Sequence, residues 1–139
     1  MQEIHSKILV KASIDPAAIY NANGTKTGAI INAQGYNHLE FVFQTGVLTD
    51  GTWTTQEFGS NDSGMAGEVA LTSSTGLISA DLSEAITDDS VCKRQGVDVN
   101  KAGFQYYRQK ATQAAATTGG FVAGLAILAN PNVMPTTSP

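Results

Sequence analysis

The chain has 139 residues, 42% of them hydrophobic and 14% charged, and a formal net charge of −4. That length fits one domain able to bury a core without metals or disulfides, and a single cysteine, Cys92, excludes an intramolecular disulfide framework. With only eight Lys and Arg residues in a net negative chain, nucleic acid is a poor fit as a partner.

The first segment, 1–13, carries an acid at Glu3 and only Ile8-Leu9-Val10 as an apolar run. It is too short and too polar for a signal peptide or membrane anchor, so a soluble protein is expected. A strand is predicted from Glu3 to Ala12. Asp15 followed by Pro16 suits one turn of helix, with an N-cap acid and Pro at the first helical position. The Asn21–Gly24 turn leads to a strand from Thr27 to Ala33.

The most informative stretch runs from Gly35 to Trp53. Leu39, Phe41 and Phe43 alternate with His38, Glu40, Val42 and Gln44, the period of two that sends one row of side chains into a core. Asp50-Gly51 supplies a turn suited to positive φ, and a second strand is predicted over Thr52–Phe58. Trp53 and Phe58 fall on opposite faces of it by parity, so one of them is a candidate contact residue. Turn residues at Gly59–Gly64 separate this from strands at Gly67–Leu71, Gly76–Leu82 and Ser90–Val97.

The segment 105–117 contains Ala111, Ala114, Ala115 and Ala116, which favour helix. Against that, Phe104, Tyr106, Arg108 and Lys110 alternate with Gln105, Tyr107, Gln109 and Ala111, so a strand is predicted from Phe104 to Thr112. Adjacent Tyr106 and Tyr107 then face opposite ways. A last strand runs from Gly120 to Ala129, and the Pro-containing segment from Asn130 to Pro139 reads as an extended tail. The expected organisation is one all-β domain over 1–129, a sandwich, jelly roll or barrel of short strands, with a tail over 130–139.

Charge is uneven along the chain. Between Thr27 and Cys92 there is no Lys or Arg but nine acids, whereas Lys93, Arg94, Lys101, Arg108 and Lys110 follow with only Asp98 opposing them. Either strand order mixes these segments in space, or the subunit is bipolar and docks an acidic face on a basic neighbour.

A search for chemistry finds little. Metal binding needs clustered ligands, and the chain offers only His5, His38 and Cys92 far apart in sequence. Ser90 and Lys93 have the spacing of a nucleophile pair without its partner motifs, and Cys92 reads as a small buried strand residue. Asp88-Asp89 reads as a solvated turn, and Asn61–Gly64 lacks calcium-loop spacing. No phosphate-binding glycine motif is present. No enzyme, metal or cofactor is expected.

The segments Ile14–Ile19, Ile30–Phe43 and Gly46-Val-Leu-Thr-Asp-Gly-Thr-Trp53, followed by Thr87–Val91 and Gly120–Pro131, resemble small structural proteins encoded among the head genes of tailed bacteriophages, the capsid cement or decoration proteins. The likeness covers most of the chain in order. It departs where many such proteins carry a compact Gly-Gly-Lys-Arg-Tyr hairpin, because this chain has the longer Gly96–Gly103 before Phe104. The resemblance implies a jelly-roll-like antiparallel sandwich on the outside of a phage head, a homodimer bridging subunits of the major capsid protein near two-fold positions. Candidate contact residues are His5 and Lys7 in the first strand, Trp53, Tyr106 with Arg108, and Asn130 and Pro131 in the tail. The rival reading is a carbohydrate-binding jelly roll with Trp53, Tyr106 and Asn61 as its platform.

Overall fold

Side-chain alternation governs the architecture. The computed structural model describes residues 7–16, 23–78 and 85–132, in which the strands are β1 (Ile8–Ala12), β2 (Gly24–Thr27), β3 (Ile31–Asn32), β4 (Tyr36–Leu48), β5 (Thr52–Ser60), β6 (Val69–Ala70), β7 (Cys92–Asp98), β8 (Tyr106–Ala114) and β9 (Gly120–Pro131), with one short helix, α1 (Val99–Ala102). In β4, Leu39, Phe41, Phe43 and Thr45 are buried, the row expected from the sequence. All pairing is antiparallel, in one sheet ordered β1-β9-β4-β7 and a second ordered β2-β8-β5-β6, with β3 also on β8.

Strands β2 and β3 lie end to end along β8, opposite Gln113–Lys110 and Tyr107–Tyr106, so they act as one interrupted edge strand. The count is then eight, and the sheets read first–eighth–third–sixth and second–seventh–fourth–fifth. Each ribbon pair sums to nine: one long antiparallel ribbon, turning between β5 and β6, has been rolled up and closed by β4 on β9 and β5 on β8. That is jelly-roll topology, the sandwich expected from the sequence. The last strand runs two residues past the expected domain boundary, to Pro131. Of the expected strand at Gly76–Leu82, the described part makes a single bridge from Leu77 to Val97 after a 3-10 turn at Ser73–Thr75; 79–84 lie outside the described residues, as do the rest of the expected helical turn after Pro16, the first half of the expected first strand, and the tail from 133.

Two apolar clusters fill the space between the sheets. One gathers Leu39, Phe41, Val97, Tyr107, Ala126 and Leu128; the other gathers Ile14, Phe43, Trp53, Ile86, Ala111 and Val122. Trp53 was a candidate contact residue, and the structure corrects that: it is 0% exposed. Its parity points it inward against Phe43, ring centroids 6.0 Å apart, and its backbone is paired on the far side by Ile86. Phe58 takes the outward position. Tyr107 likewise turns inward and donates its hydroxyl proton to the Phe104 carbonyl at 2.8 Å; burial pushes its pKa up to about 12.

Between the clusters lies a polar layer. Glu57 on β5 is 0% exposed and faces its register partner Gln109 on β8, whose Nε2 donates to Glu57 Oε1 at 2.9 Å. Gln109 occupies the space over Gly124 on β9: a Cβ at Gly124 would stand 3.1 Å from Gln109 Oε1 and 3.0 Å from the Ile14 backbone nitrogen. A glycine there is what lets a long amide cross the sandwich. Burial raises the Glu57 carboxyl from 4.5 to about 7, against the opposing hydrogen bond from Gln109.

At one end of the sandwich, Asp50-Gly51 forms the expected turn, with Gly51 at φ 86°. Asp50 does more than turn the chain. Its carboxylate accepts the backbone N–H groups of Thr117, Thr118 and Gly119 at 2.6–3.0 Å, clamping the β8–β9 loop, and these bonds, the one from Gly119 first, hold its pKa below the usual carboxylate value. Asp88-Asp89 proves to be such a turn as well. Asp89 Oδ1 accepts from Leu48 N–H at 2.7 Å and the Asp88 carbonyl accepts from the Thr45 hydroxyl at 3.0 Å, beside the register shift between Thr45 and Leu48.

Two outcomes follow. A folded-state pKa raised from 4.5 to about 7 gives Glu57 a contribution that is full below about pH 4.5 and lost as pH rises through 7, on the order of 3 kcal/mol. Urea unfolding across pH 4–8 is expected to record that decline, and Glu57→Gln to flatten it; an unchanged slope in the variant would contradict the assignment. In Asp50→Ala, amide exchange at Thr118 and Gly119 is expected to speed by about tenfold or more, with Gln109 unaffected.

Candidate functional site

The two outer faces of the sandwich differ in chemistry. On the β2-β8-β5 sheet the outward row is polar: Thr25 and Thr112 share a hydroxyl hydrogen bond of 2.9 Å, and Thr54, Gln56, Lys110 and Arg108 continue it by register. Glu68 sits over this face, bound to Arg108 Nε at 2.6 Å and to Lys110 Nζ. The Arg108 hydrogen bond, first among its partners, holds the Glu68 pKa below the usual range. Lys110 also lies 4.4 Å from the centre of the Phe58 ring, a cation–π contact.

The outer face of the β1-β9-β4-β7 sheet is apolar along β1 and β9 and mixed along β4 and β7. One rung runs Val10–Ile127–Glu40–Gly96 and the next Ala12–Leu125–Val42–Arg94. Val10 is 51% exposed and Leu125 45%, while Ile78, 62% exposed, leans over Gly96. A groove of about 380 Å³ opens between Ile78, Val42, Ile127 and Ala129, bounded by His38, Glu40 and Arg94. Further along, exposed Phe121 borders a second depression of about 200 Å³ with Pro16, Gly46 and Ala123. An antiparallel sheet with a free face ordinarily alternates apolar-in and polar-out. Here the apolar side chains of β9 occupy both faces.

Most of the contact residues expected from the sequence are not brought together. His5 lies outside the described residues. Lys7 is half-buried just before β1, while Tyr106 and Arg108 belong to the polar face and Arg108 is occupied by Glu68. Asn130 and Pro131 belong to β9, and Pro131 pairs opposite Tyr36. The residues that form the apolar face, Val10, Val42, Leu125 and Ile127, were missed singly. Their signal was present as apolar residues at outward parity: Val42 in the alternating run, and Leu125 and Ile127 between small inward residues.

Charges segregated along the sequence are mixed in space among the described residues. Basic β7 and β8 lie beside acidic segments, as Arg94 meets Glu40 at 3.5 Å and Arg108 and Lys110 meet Glu68, so strand order mixes them. The nucleophile readings also separate in space. His38 pairs opposite Asp98 and Cys92 opposite Gln44, six positions apart on one ladder, roughly 20 Å. Contrary to expectation Cys92 is exposed, because it begins β7 at outward parity beside Gln44. Among the described residues no group of three or more His, Cys, Asp or Glu side chains could hold a metal ion, and no helix is long and apolar enough to cross a membrane.

No protein-family model matches the chain, and no curated protein matches it. Among solved structures, the SPBc2 prophage-derived protein YomS is similar at a TM-score of 0.53 with 10% identity, over 88% of this chain and 93% of that one. A chain of infectious bursal disease virus, Gx strain, aligns at a TM-score of 0.49 with 13% identity, over 93% of this chain and 33% of that one. At 10% identity what the prophage-derived protein shares with this chain is the fold.

The position of Cys92 yields a direct check. The native protein is expected to react with one equivalent of Ellman's reagent per chain at close to the rate of a small free thiol, with its unfolding midpoint unchanged; protection of the thiol until the protein unfolds would contradict the outward parity of β7.

Proposed function

We propose that this chain is a structural protein of a virion, a cement or decoration protein that binds the outer surface of an assembled tailed-phage head and bridges subunits of its major capsid protein. The observation that carries the reading is the apolar outer face of the β1-β9-β4-β7 sheet, set against the polar outer face of the other sheet. One side of the sandwich is built to be covered and the other to stay wet. The resemblance of Gly35–Trp53 to phage-head structural proteins supports the same reading, as does the fold shared with a prophage-derived protein.

Such a role requires no reaction, metal, cofactor, nucleic acid or membrane. A protein that binds the assembled shell and not its separated subunits adds its binding free energy to shell stability. Apolar burial supplies about 25 cal/mol per Å² removed from water, and contacts to more than one capsid subunit multiply weak individual contacts through effective concentration. Arg94, whose side chain is 81% exposed, stands at the margin of the face, where a charge sets orientation and encounter rate more than affinity. Among the described residues the outer edge of β1, with Val10 and Lys11 exposed, pairs with no other strand, and strand addition there by a second copy would give the homodimer that the resemblance implies.

The test adds purified protein to heads lacking it and measures copies bound and resistance to heat and chelator. Saturable binding with raised resistance is expected. Leu125→Lys is expected to weaken binding by at least about tenfold, since burying an uncompensated charge costs several kcal/mol, whereas Thr112→Lys on the polar face leaves it unchanged. Equal binding by both variants, or no gain in resistance from the parent protein, would overturn the assignment.

A further inference from the structure

The end of the sandwich formed by the β3–β4, β5–β6 and α1–β8 connections carries a concave site of about 280 Å³ whose lining, among the described residues, holds no charged residue. Its polar groups are side-chain amides: Gln34, Asn61, Asn100, Gln105 and Asn132, beside the ring of Tyr36. Four of them are held in place from within. Gln105 Nε2 donates to Gln34 Oε1 at 3.0 Å, Asn61 Oδ1 accepts the Gln105 backbone N–H at 3.1 Å, and Asn100 Nδ2 donates to Asn37 Oδ1 at 3.1 Å.

Each of these four amides spends one end on the fold. Among the described residues the other end makes no hydrogen bond, which leaves donors at Asn61 Nδ2 and Gln34 Nε2 and acceptors at Asn100 Oδ1 and Gln105 Oε1. We infer that this end of the sandwich is a binding site for a neutral saccharide. Hydroxyl groups both donate and accept, so a sugar ring can satisfy mixed amide donors and acceptors at once, and Tyr36 offers an apolar surface for the ring's C–H face. An anionic ligand would find no cation here and a cationic one no carboxylate. Part of the ordering entropy is already spent, because each of these amides is restrained at one end before any ligand arrives. This inference is independent of the head-binding role: the site lies at the end of the sandwich, off the apolar sheet face, and uses neither Trp53 nor Tyr106.

The test titrates the isotope-labelled full chain with glucose, galactose, mannose and N-acetylglucosamine into the tens of millimolar, the range in which single sugars bind shallow sites, while side-chain amide resonances are recorded. At least one sugar is expected to shift the Gln34, Asn61, Asn100 and Gln105 signals saturably. Gln34→Glu keeps the acceptor used by Gln105 but removes the donor and adds charge, and is expected to raise that Kd about tenfold with the remaining spectrum unchanged. No saturable shift with any of the four sugars, shifts elsewhere on the surface only, or equal binding by Gln34→Glu overturns the inference.

Discussion

A carboxyl group without exposed surface must be neutral, hydrogen-bonded or both, and the interior of this sandwich is organised around meeting that requirement for Glu57. The Gln109 amide does so for one carboxyl oxygen from the neighbouring strand, with Glu57 Oε2 left without a hydrogen-bond partner among the described residues, and this contact fixes the β5–β8 register, since a one-residue slip of β8 would turn Gln109 out to solvent and set Arg108 or Lys110 against Glu57. Gln109 in turn needs the space over Gly124 on the opposite sheet, which fixes how the two sheets lie on each other. One polar contact therefore links register within a sheet to alignment between sheets. The apolar clusters on either side supply the bulk of the burial but, being non-directional, would accept other alignments.

Rolling one antiparallel ribbon into two sheets also explains how the faces come to differ. Each sheet draws alternate strands from the ribbon, so residues distant in sequence share a face: Val10, Val42 and Leu125 come from strands near the start, middle and end of the chain. The polar face assembles in the same way from Thr25, Gln56 and Lys110. Acidic and basic stretches that look segregated in sequence become cross-strand neighbours, and ion pairs such as Glu68 with Arg108 and Lys110 neutralise the pattern locally instead of building a long-range field.

Much of the fold was legible because β4 is unambiguous. Leu39, Phe41 and Phe43 alternate with polar partners, and no other period fits them. β5 was legible as a strand but not as to its faces: Trp53, Thr55 and Glu57 share one row and Thr54, Gln56 and Phe58 the other, so each row mixes one aromatic with polar residues. Only the contact of Trp53 with Phe43 and Ile86 decides between them, and that contact depends on pairing across the sandwich. Glu57 and Gln109 were invisible for the same reason, as polar residues at alternating positions ordinarily face water. The apolar outer face escaped notice because β9 is apolar from Gly120 to Ala129, which the sequence presents as a doubly buried strand. The amide-rich end could not be foreseen, since Gln34, Asn61 and Gln105 come from separate connections and Asn100 from α1, and they meet only after the ribbon has closed.

The pairing of Ile8 with Ala129 has a practical meaning for handling the protein. Strand β1 starts where β9 is about to finish, so Lys7 and Asn132 lie at one corner of the sandwich, and the Asn132 backbone, bonded to the Gly35 carbonyl at 2.8 Å, ties that corner to the amide-lined end. A bulky label carried at Lys7 or at Asn132 would cast its steric shadow over that end. A label carried on the turn at Thr117–Gly119, held by Asp50 at the far end of β9, would leave that corner clear.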